Sequence, residues 1–238
     1  MSERVQVVIL AGGFATRLGE LSRFVPKAMV EVAGRPFLDW QLERFRENGA
    51  TEVLFLLSHL AEQIRAHLGA GERHGLPVQY VDDGRQLRGT GGAVRHALDL
   101  LAPDFVVTYG DSFLSLSPRD LLAYLDQAGD SFGGVMSVTP KRLAREPLNC
   151  LVADGRVARY EKGQGDTTRT HLDYGMIALR RSEVESWPDV GAFGLETPLG
   201  SMARLGRLMA FEVLTPYFEV GTPAGLAQLD AALRCDDR

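Results

Sequence analysis

Three side chains in this sequence have the chemistry to hold a polyphosphate: a guanidinium, an ammonium and a carboxylate. Arg17 and Lys27 flank one glycine-rich turn, Gly12-Gly13, with Thr16 beside Arg17 and Pro26 just before Lys27. Paired glycines accept positive φ and leave amide N–H groups uncovered, which suits phosphate oxygens. Arg17 offers a planar fork, while Lys27 is a compact charge on a flexible stem. Asp111, within Gly110-Asp111-Ser112, closes an apolar run at 105–109. The end of such a strand in an open α/β sheet is where ligands bind. A carboxylate there also suits magnesium, which takes one or two carboxylates together with phosphate oxygens and water. A second glycine cluster, Gly89-Thr90-Gly91-Gly92, opens a helical pattern that extends to residue 101. A helix N-terminus of this kind attracts anionic or polar ligands.

Neither common glycine fingerprint fits the first turn. The dinucleotide G-x-G-x-x-G fails because Ala15 stands two beyond Gly13, and no Gly-Lys-Ser/Thr of a P-loop occurs anywhere. The stretch resembles instead the signature of the sugar-phosphate nucleotidyltransferases, L-A-G-G-x-[GA]-T-R-L, a spacer, then P-K-x-M, met here at 10–18 and 26–29. Further elements of that family fall in order: G-T-[AG]-G-A at 89–93, G-D-x-[LF] at 110–113 and E-K at 161–162. Gly175 matches the glycine of [ND]-x-G-[IL], and aromatic-x-[DE]-[IV]-G-[TS]-P lies at 217–223. Gly163 replaces the usual proline after E-K, and Glu219 stands where aspartate is more frequent.

The resemblance implies transfer of a nucleotidyl group from a nucleoside triphosphate to a sugar 1-phosphate, with pyrophosphate released and Mg2+ as cofactor. It assigns Arg17, Lys27 and Asp111 to catalysis. It places Leu10, Ala11, Gly12, Gly13, Thr16, Arg17, Asp83, Gly89 and Thr90 around the nucleotide. Lys27, Glu161, Lys162, Asp173 and Gly175 are assigned to the sugar phosphate, and Asp111 with Glu219 to the metal. The Leu172-Asp173-Tyr174-Gly175-Met176-Ile177 element is most similar to guanylyltransferases for mannose or heptose 1-phosphate. Uridylyl or cytidylyl transfer to another sugar 1-phosphate or a phosphocholine-like acceptor is the alternative. A nucleotide-binding regulatory subunit without catalysis is a reading of another class. Many relatives continue into a hexapeptide β-helix, and none is expected from this sequence.

Composition narrows the class. The 238 residues are 45% hydrophobic and 24% charged, ordinary for a folded chain and enough for a core without disulfides. A net charge of −5 with scattered Lys and Arg argues against nucleic acid as partner, so phosphate attraction must be local. Cys150 and Cys235 have no zinc or disulfide spacing, which fits a reducing, cytoplasmic setting. No leader pattern or bilayer-length apolar run occurs. Oligomeric state stays open, a homodimer included.

The elements that position these residues alternate. Buried strand patterns at 5–10, 53–57, 78–81 and 105–109 are separated by helical patterns around Leu38, Leu42 and Phe45, and at 60–68 and 90–101. Ser117-Pro118 is a helix start. The expectation is one catalytic domain over 1–238, an α/β, Rossmann-like three-layer fold with a mostly parallel sheet. A hairpin turned at Asp154-Gly155 suggests a small β-rich lobe over the sheet edge. Residues 164–170, with Arg169, are expected as a mobile loop near the acceptor. His59, His67 and His74 show neither close spacing nor carboxylate neighbours, and are expected to be solvated.

Overall fold

The computed structural model describes residues 4–12, 24–84, 87–144, 146–161 and 167–236. Gly13, Thr16, Arg17 and Lys162 lie outside these residues. Strand β1 (Gln6–Leu10) is the near-continuous apolar run of a strand covered on both faces, and it lies at the centre of the parallel half of the sheet. After a single 3₁₀ turn (Lys27–Met29), the short β2 (Glu31–Val32) and β3 (Arg35–Pro36) pair as a hairpin leading into α1 (Phe37–Glu47). Then follow β4 (Glu52–Leu57), α2 (Ala61–Leu68), β5 (Val78–Asp82), α3 (Gly89–His96) and β6 (Asp104–Tyr109). Next come β7 (Ser112–Phe113), α4 (Pro118–Ala128), β8 (Gly134–Pro140), β9 (Cys150–Ala153), β10 (Arg156–Tyr160) and β11 (His171–Arg180). The chain continues through α5 (Arg181–Glu185), α6 (Glu196–Arg204), β12 (Leu208–Glu212), β13 (Phe218–Glu219) and α7 (Pro223–Asp236).

Nine strands form one sheet in the order β5-β4-β1-β6-β11-β8-β12-β10-β9. β1 pairs in parallel with β4 on one side and β6 on the other, so the strand order reverses at β1. That reversal opens a crevice at the carboxyl ends of β1 and β6. The expected parallel sheet holds for β5-β4-β1-β6 and for the β8–β12 pair, while β11 runs against both β6 and β8 and β10 runs against both β12 and β9. The β9–β10 hairpin does not stand off as a lobe over the edge. It supplies the last two strands of the same sheet, and β9 curls back to pair with the start of β11 through His171 and Cys150. A register shift in β11 between Asp173 and Ile177 provides the bend that this curl needs.

Alternation along β1 divides the core. Val7 and Ile9 pack with Leu38, Leu42 and Phe45 of α1, Ile64 and Leu68 of α2, and Leu121 and Leu125 of α4. Val8 faces the other layer, with Ala93 and Val94 of α3 and Leu199 and Met202 of α6. A third, smaller cluster seats Leu229 and Leu233 of α7 on Val32, Phe37 and Val220. Ser117 caps α4 as expected, its Oγ accepting from the N–H of Asp120 at 3.2 Å. Cys150 is buried, Cys235 is exposed, and both are free thiols. None of the described helices is long and apolar enough to cross a membrane.

Candidate functional site

The crevice at the strand reversal is a cavity of about 300 Å³. Leu10 at the end of β1, with Ala11 and Gly12 after it, forms one wall, and Leu56 of β4 with Ser58 just past that strand another. Asp83 follows β5, Gly89, Thr90 and Ala93 come from α3, and Tyr109, Gly110 and Asp111 follow β6. Lys27 and Ala28 enter from the 3₁₀ turn. Eight of the residues expected in the site, Leu10, Ala11, Gly12, Lys27, Asp83, Gly89, Thr90 and Asp111, therefore share one cleft.

Lys27 and Asp111, 84 positions apart, meet there, with Nζ donating to Oδ2 at 3.0 Å. Their side chains are 22% and 29% exposed, half-buried but open to a ligand. The Asp111 turn is held from three sides. Gln41 of α1, itself buried, donates through Nε2 to the carbonyls of Tyr109 at 2.9 Å and Ser112 at 2.8 Å. The N–H of Gly110 donates to Leu10 O at 3.0 Å, and the N–H of Val220 to Asp111 O at 2.9 Å. The last contact continues the small β7–β13 ladder, in which Glu219 pairs with Ser112, one position along the chain from Asp111. Asp111 lines the cleft, where its hard carboxylate suits a magnesium ion, whereas Glu219 is not among the residues that line it.

Burial raises the Tyr109 phenol well above its ordinary value, and the surrounding carboxylates of Asp173, Glu196, Asp111 and Glu219 add to the shift. Tyr109 thus stays protonated, chiefly because it is buried. Gln41 was not found from sequence, although a polar residue within the apolar stripe of α1 is the kind of signal that marks one.

The glycines divide by purpose. A Cβ on Gly12 would sit 2.7 Å from Ser58 Oγ, which in turn donates to the Gly12 carbonyl, so the first turn is glycine because Ser58 lies against it. Gly89 has φ of +69° and a Cβ there would reach 2.5 Å from the Phe193 carbonyl oxygen. Gly91 and Gly92 donate to that same oxygen at 3.0 and 3.2 Å. Thr90 Oγ1 accepts from the N–H of Leu195 at 2.9 Å. The second glycine cluster is therefore built largely for the approach of residues 191–195, and it forms the first turn of α3 rather than a loop before it.

Among the residues that the resemblance assigns to the sugar phosphate, Asn149 links two: its carbonyl accepts from Glu161 N at 3.0 Å and its Oδ1 from Asp173 N at 2.8 Å. Asp173 also accepts from Tyr160 Oη at 3.0 Å and from Gly175 N at 2.9 Å. Gly175 has φ of +104° and its carbonyl accepts from Thr108 Oγ1 at 2.8 Å, tying the β11 bulge to β6. Glu161 is exposed and engages Arg159 at 3.3 Å and Arg169 at 3.8 Å. Arg169 departs from the mobile-loop expectation, being buried and donating to Leu148 O at 3.0 Å. His67 and His74 also depart from expectation, since both contact the Asp39 carboxylate. His59 is exposed, as expected.

Comparison with known proteins matches residues 7–175 to the MobA-like NTP transferase domain. The bifunctional protein GlmU of Burkholderia mallei is 30% identical over 82% of this chain, which spans only 42% of that relative. The crystal structure of HddC from Yersinia pseudotuberculosis superposes with a TM-score of 0.78 at 25% identity, covering 96% of this chain and 99% of that one. The inositol-1-phosphate CTP transferase of T. maritima has a TM-score of 0.75 at 18% identity, covering 98% and 97%, and bears on the fold alone. With the signature at 10–29 and a cleft lined by its described residues Leu10, Ala11, Gly12, Lys27 and Ala28, the chain belongs to the MobA-like NTP transferase family, among the sugar-phosphate nucleotidyltransferases.

Proposed function

We propose that this chain joins a nucleoside triphosphate to a sugar 1-phosphate, with GTP as the preferred donor and a mannose- or heptose-type 1-phosphate as acceptor. The observation that carries the reading is the Lys27–Asp111 contact at 3.0 Å inside the cleft at the strand reversal. A phosphate oxygen of the acceptor attacks the α-phosphorus. The new P–O bond forms as the bond to the α,β-bridging oxygen breaks, and pyrophosphate leaves with that electron pair. No proton need move, so positioning and charge neutralisation dominate. Lys27 binds the oxygens around the α-phosphorus as charge shifts toward the leaving group. Arg17, in the signature, is assigned to the triphosphate by the resemblance. Asp111 and Glu219 would hold Mg2+, which supplies charge neutralisation between the two substrates. Gln41 keeps the Asp111 turn in register. Asp173 and Glu161, linked through Asn149, lie on the side assigned to the acceptor hydroxyls.

Asp83 supports guanine. Its carboxylate borders the cleft beside Leu87 and Gly89, and burial raises its pKa above the ordinary value. Guanine presents two adjacent donors, N1–H and the 2-amino group, to a carboxylate. Uracil and thymine present one donor between two carbonyls, which a carboxylate repels. HddC, at 25% identity, has been crystallised with GMP-PN, in keeping with a guanine nucleotide. The test is pyrophosphate release from each of GTP, UTP, CTP, dTTP and ATP against a panel of sugar 1-phosphates and phosphocholine, with Mg2+. The expected product is a GDP-sugar. Preference for UTP or CTP would overturn the guanine assignment, and silence with every pair would favour a regulatory subunit.

A further inference from the structure

Away from the cleft, three polar side chains from separate segments converge on one point. Asp39 lies in the first turn of α1, His67 next to the end of α2, and His74 at the end of a 3₁₀ turn (Glu72–His74). Asp39 Oδ1 meets His67 Nε2 at 2.7 Å and His74 Nε2 at 2.8 Å. Ligand atoms from all three residues lie within 4.8 Å of one another. The side chains are 13%, 22% and 9% exposed, in that order, so the point is sheltered but open beside His67. None of the three lines the cleft or belongs to the signature elements.

We propose that Asp39, His67 and His74 form a binding site for a borderline divalent transition metal, Zn2+ in the first place, separate from the magnesium centre. Two imidazoles with one carboxylate are the donor set of zinc, nickel and copper, whereas magnesium prefers oxygen alone. Zinc bonds of about 2.0–2.1 Å in a tetrahedron put neighbouring ligand atoms about 3.3 Å apart. The two histidine contacts at 2.7 and 2.8 Å need open only by several tenths of an ångström at the carboxylate. In the metal-free arrangement each histidine presents Nε2–H to the same oxygen. With zinc, each imidazole carries its proton on Nδ1 and turns the Nε2 lone pair to the ion. The exposed flank beside His67 gives water the fourth position. The ion would tie α1, α2 and the turn after α2 together. A ligand bound only by the folded state stabilises that state.

The experiment uses the full chain without a polyhistidine tag, stripped with chelator and held in Mg2+. Zn2+ is titrated calorimetrically, Co2+ binding is followed by its visible d–d absorption, and melting is measured with and without Zn2+. The expected result is binding of one equivalent, a higher Tm and a low-coordinate Co2+ spectrum. In His74→Ala, affinity should fall by at least the ~10–100-fold that changes around a metal's ligands alone produce. His67→Gln separates a metal site from a hydrogen-bonded staple, because glutamine still donates to Asp39 but ligates zinc poorly. Loss of the Zn2+-dependent Tm gain in that variant, with its metal-free Tm kept, supports the site. An unchanged Co2+ spectrum in His67→Gln, or no stoichiometric Zn2+ binding by the parent, overturns it.

Discussion

Replacing Lys27 with methionine keeps the stem and removes only the charge. At 3.0 Å, the attraction between Lys27 and Asp111 is about 5–6 kcal/mol at an effective dielectric of ~20. Most of this is offset by desolvation and side-chain ordering, and a pair whose members are 22% and 29% exposed nets about 1 kcal/mol of fold stability. The transition state loses more. A preorganised donor aimed at developing charge is worth about 2.7–4 kcal/mol, so kcat should fall by about 10²–10³ while urea-induced unfolding shifts only slightly. Removing the cation beside Asp111 also leaves that carboxylate more attractive to Mg2+. Half-saturation by Mg2+ should therefore move to lower concentration in Lys27→Met and to higher concentration in Asp111→Asn. The assay is continuous pyrophosphate release at saturating triphosphate, repeated across a Mg2+ series. Turnover of Lys27→Met within tenfold of the parent would refute the assignment. A loss of stability beyond about 3 kcal/mol would instead show that the pair acts as a buried structural bridge.

Gln41→Leu, similar in size, leaves the carbonyls of Tyr109 and Ser112 without their donor. At ~1–3 kcal/mol for an unsatisfied buried group, we expect a clear fall in Tm. The Mg2+ requirement should also rise, and a purely structural role would not change it. Gly89→Ala must hold φ near +69° with a Cβ 2.5 Å from the Phe193 carbonyl oxygen, and destabilisation of about 1–3 kcal/mol should appear in thermal melts. Asp83 gives a pH signature. Its pKa is raised above the ordinary 3.8, first by burial. Its contribution to stability is thus full below the pKa of the unfolded chain and lost as pH rises through the folded value. GTP affinity runs the other way, weakening as pH falls through that raised value because a protonated acid no longer accepts from guanine. Asp83→Asn should remove the acid limb from the pH dependence of KM for GTP, and persistence of that limb would rule out Asp83 as its source.

What sequence could show depended on whether a residue's partner lies nearby along the chain. β1 was legible because Val7, Val8 and Ile9 carry the apolar pattern of a strand buried on both faces, and Asp111 because it follows another such strand. The meeting of Lys27 with Asp111 followed from strand order, since both flank the reversal at β1. The glycines at 89–92 were open to misreading because the chain they make room for, around Phe193, lies about a hundred residues further on. Asp39 and Gln41 share one cause. The apolar positions Leu38, Leu42 and Phe45 define the buried stripe of α1, and counting them leaves out the polar residues that the same helix also buries. A buried polar side chain must find partners, and on this helix each one does: Gln41 at the carbonyls that frame Asp111, Asp39 at two histidines. One helix therefore braces both the Asp111 turn and the three-residue cluster. A metal ion bound at that cluster would act on turnover only through the rigidity of α1, so its loss should leave KM for the triphosphate unchanged while lowering Tm.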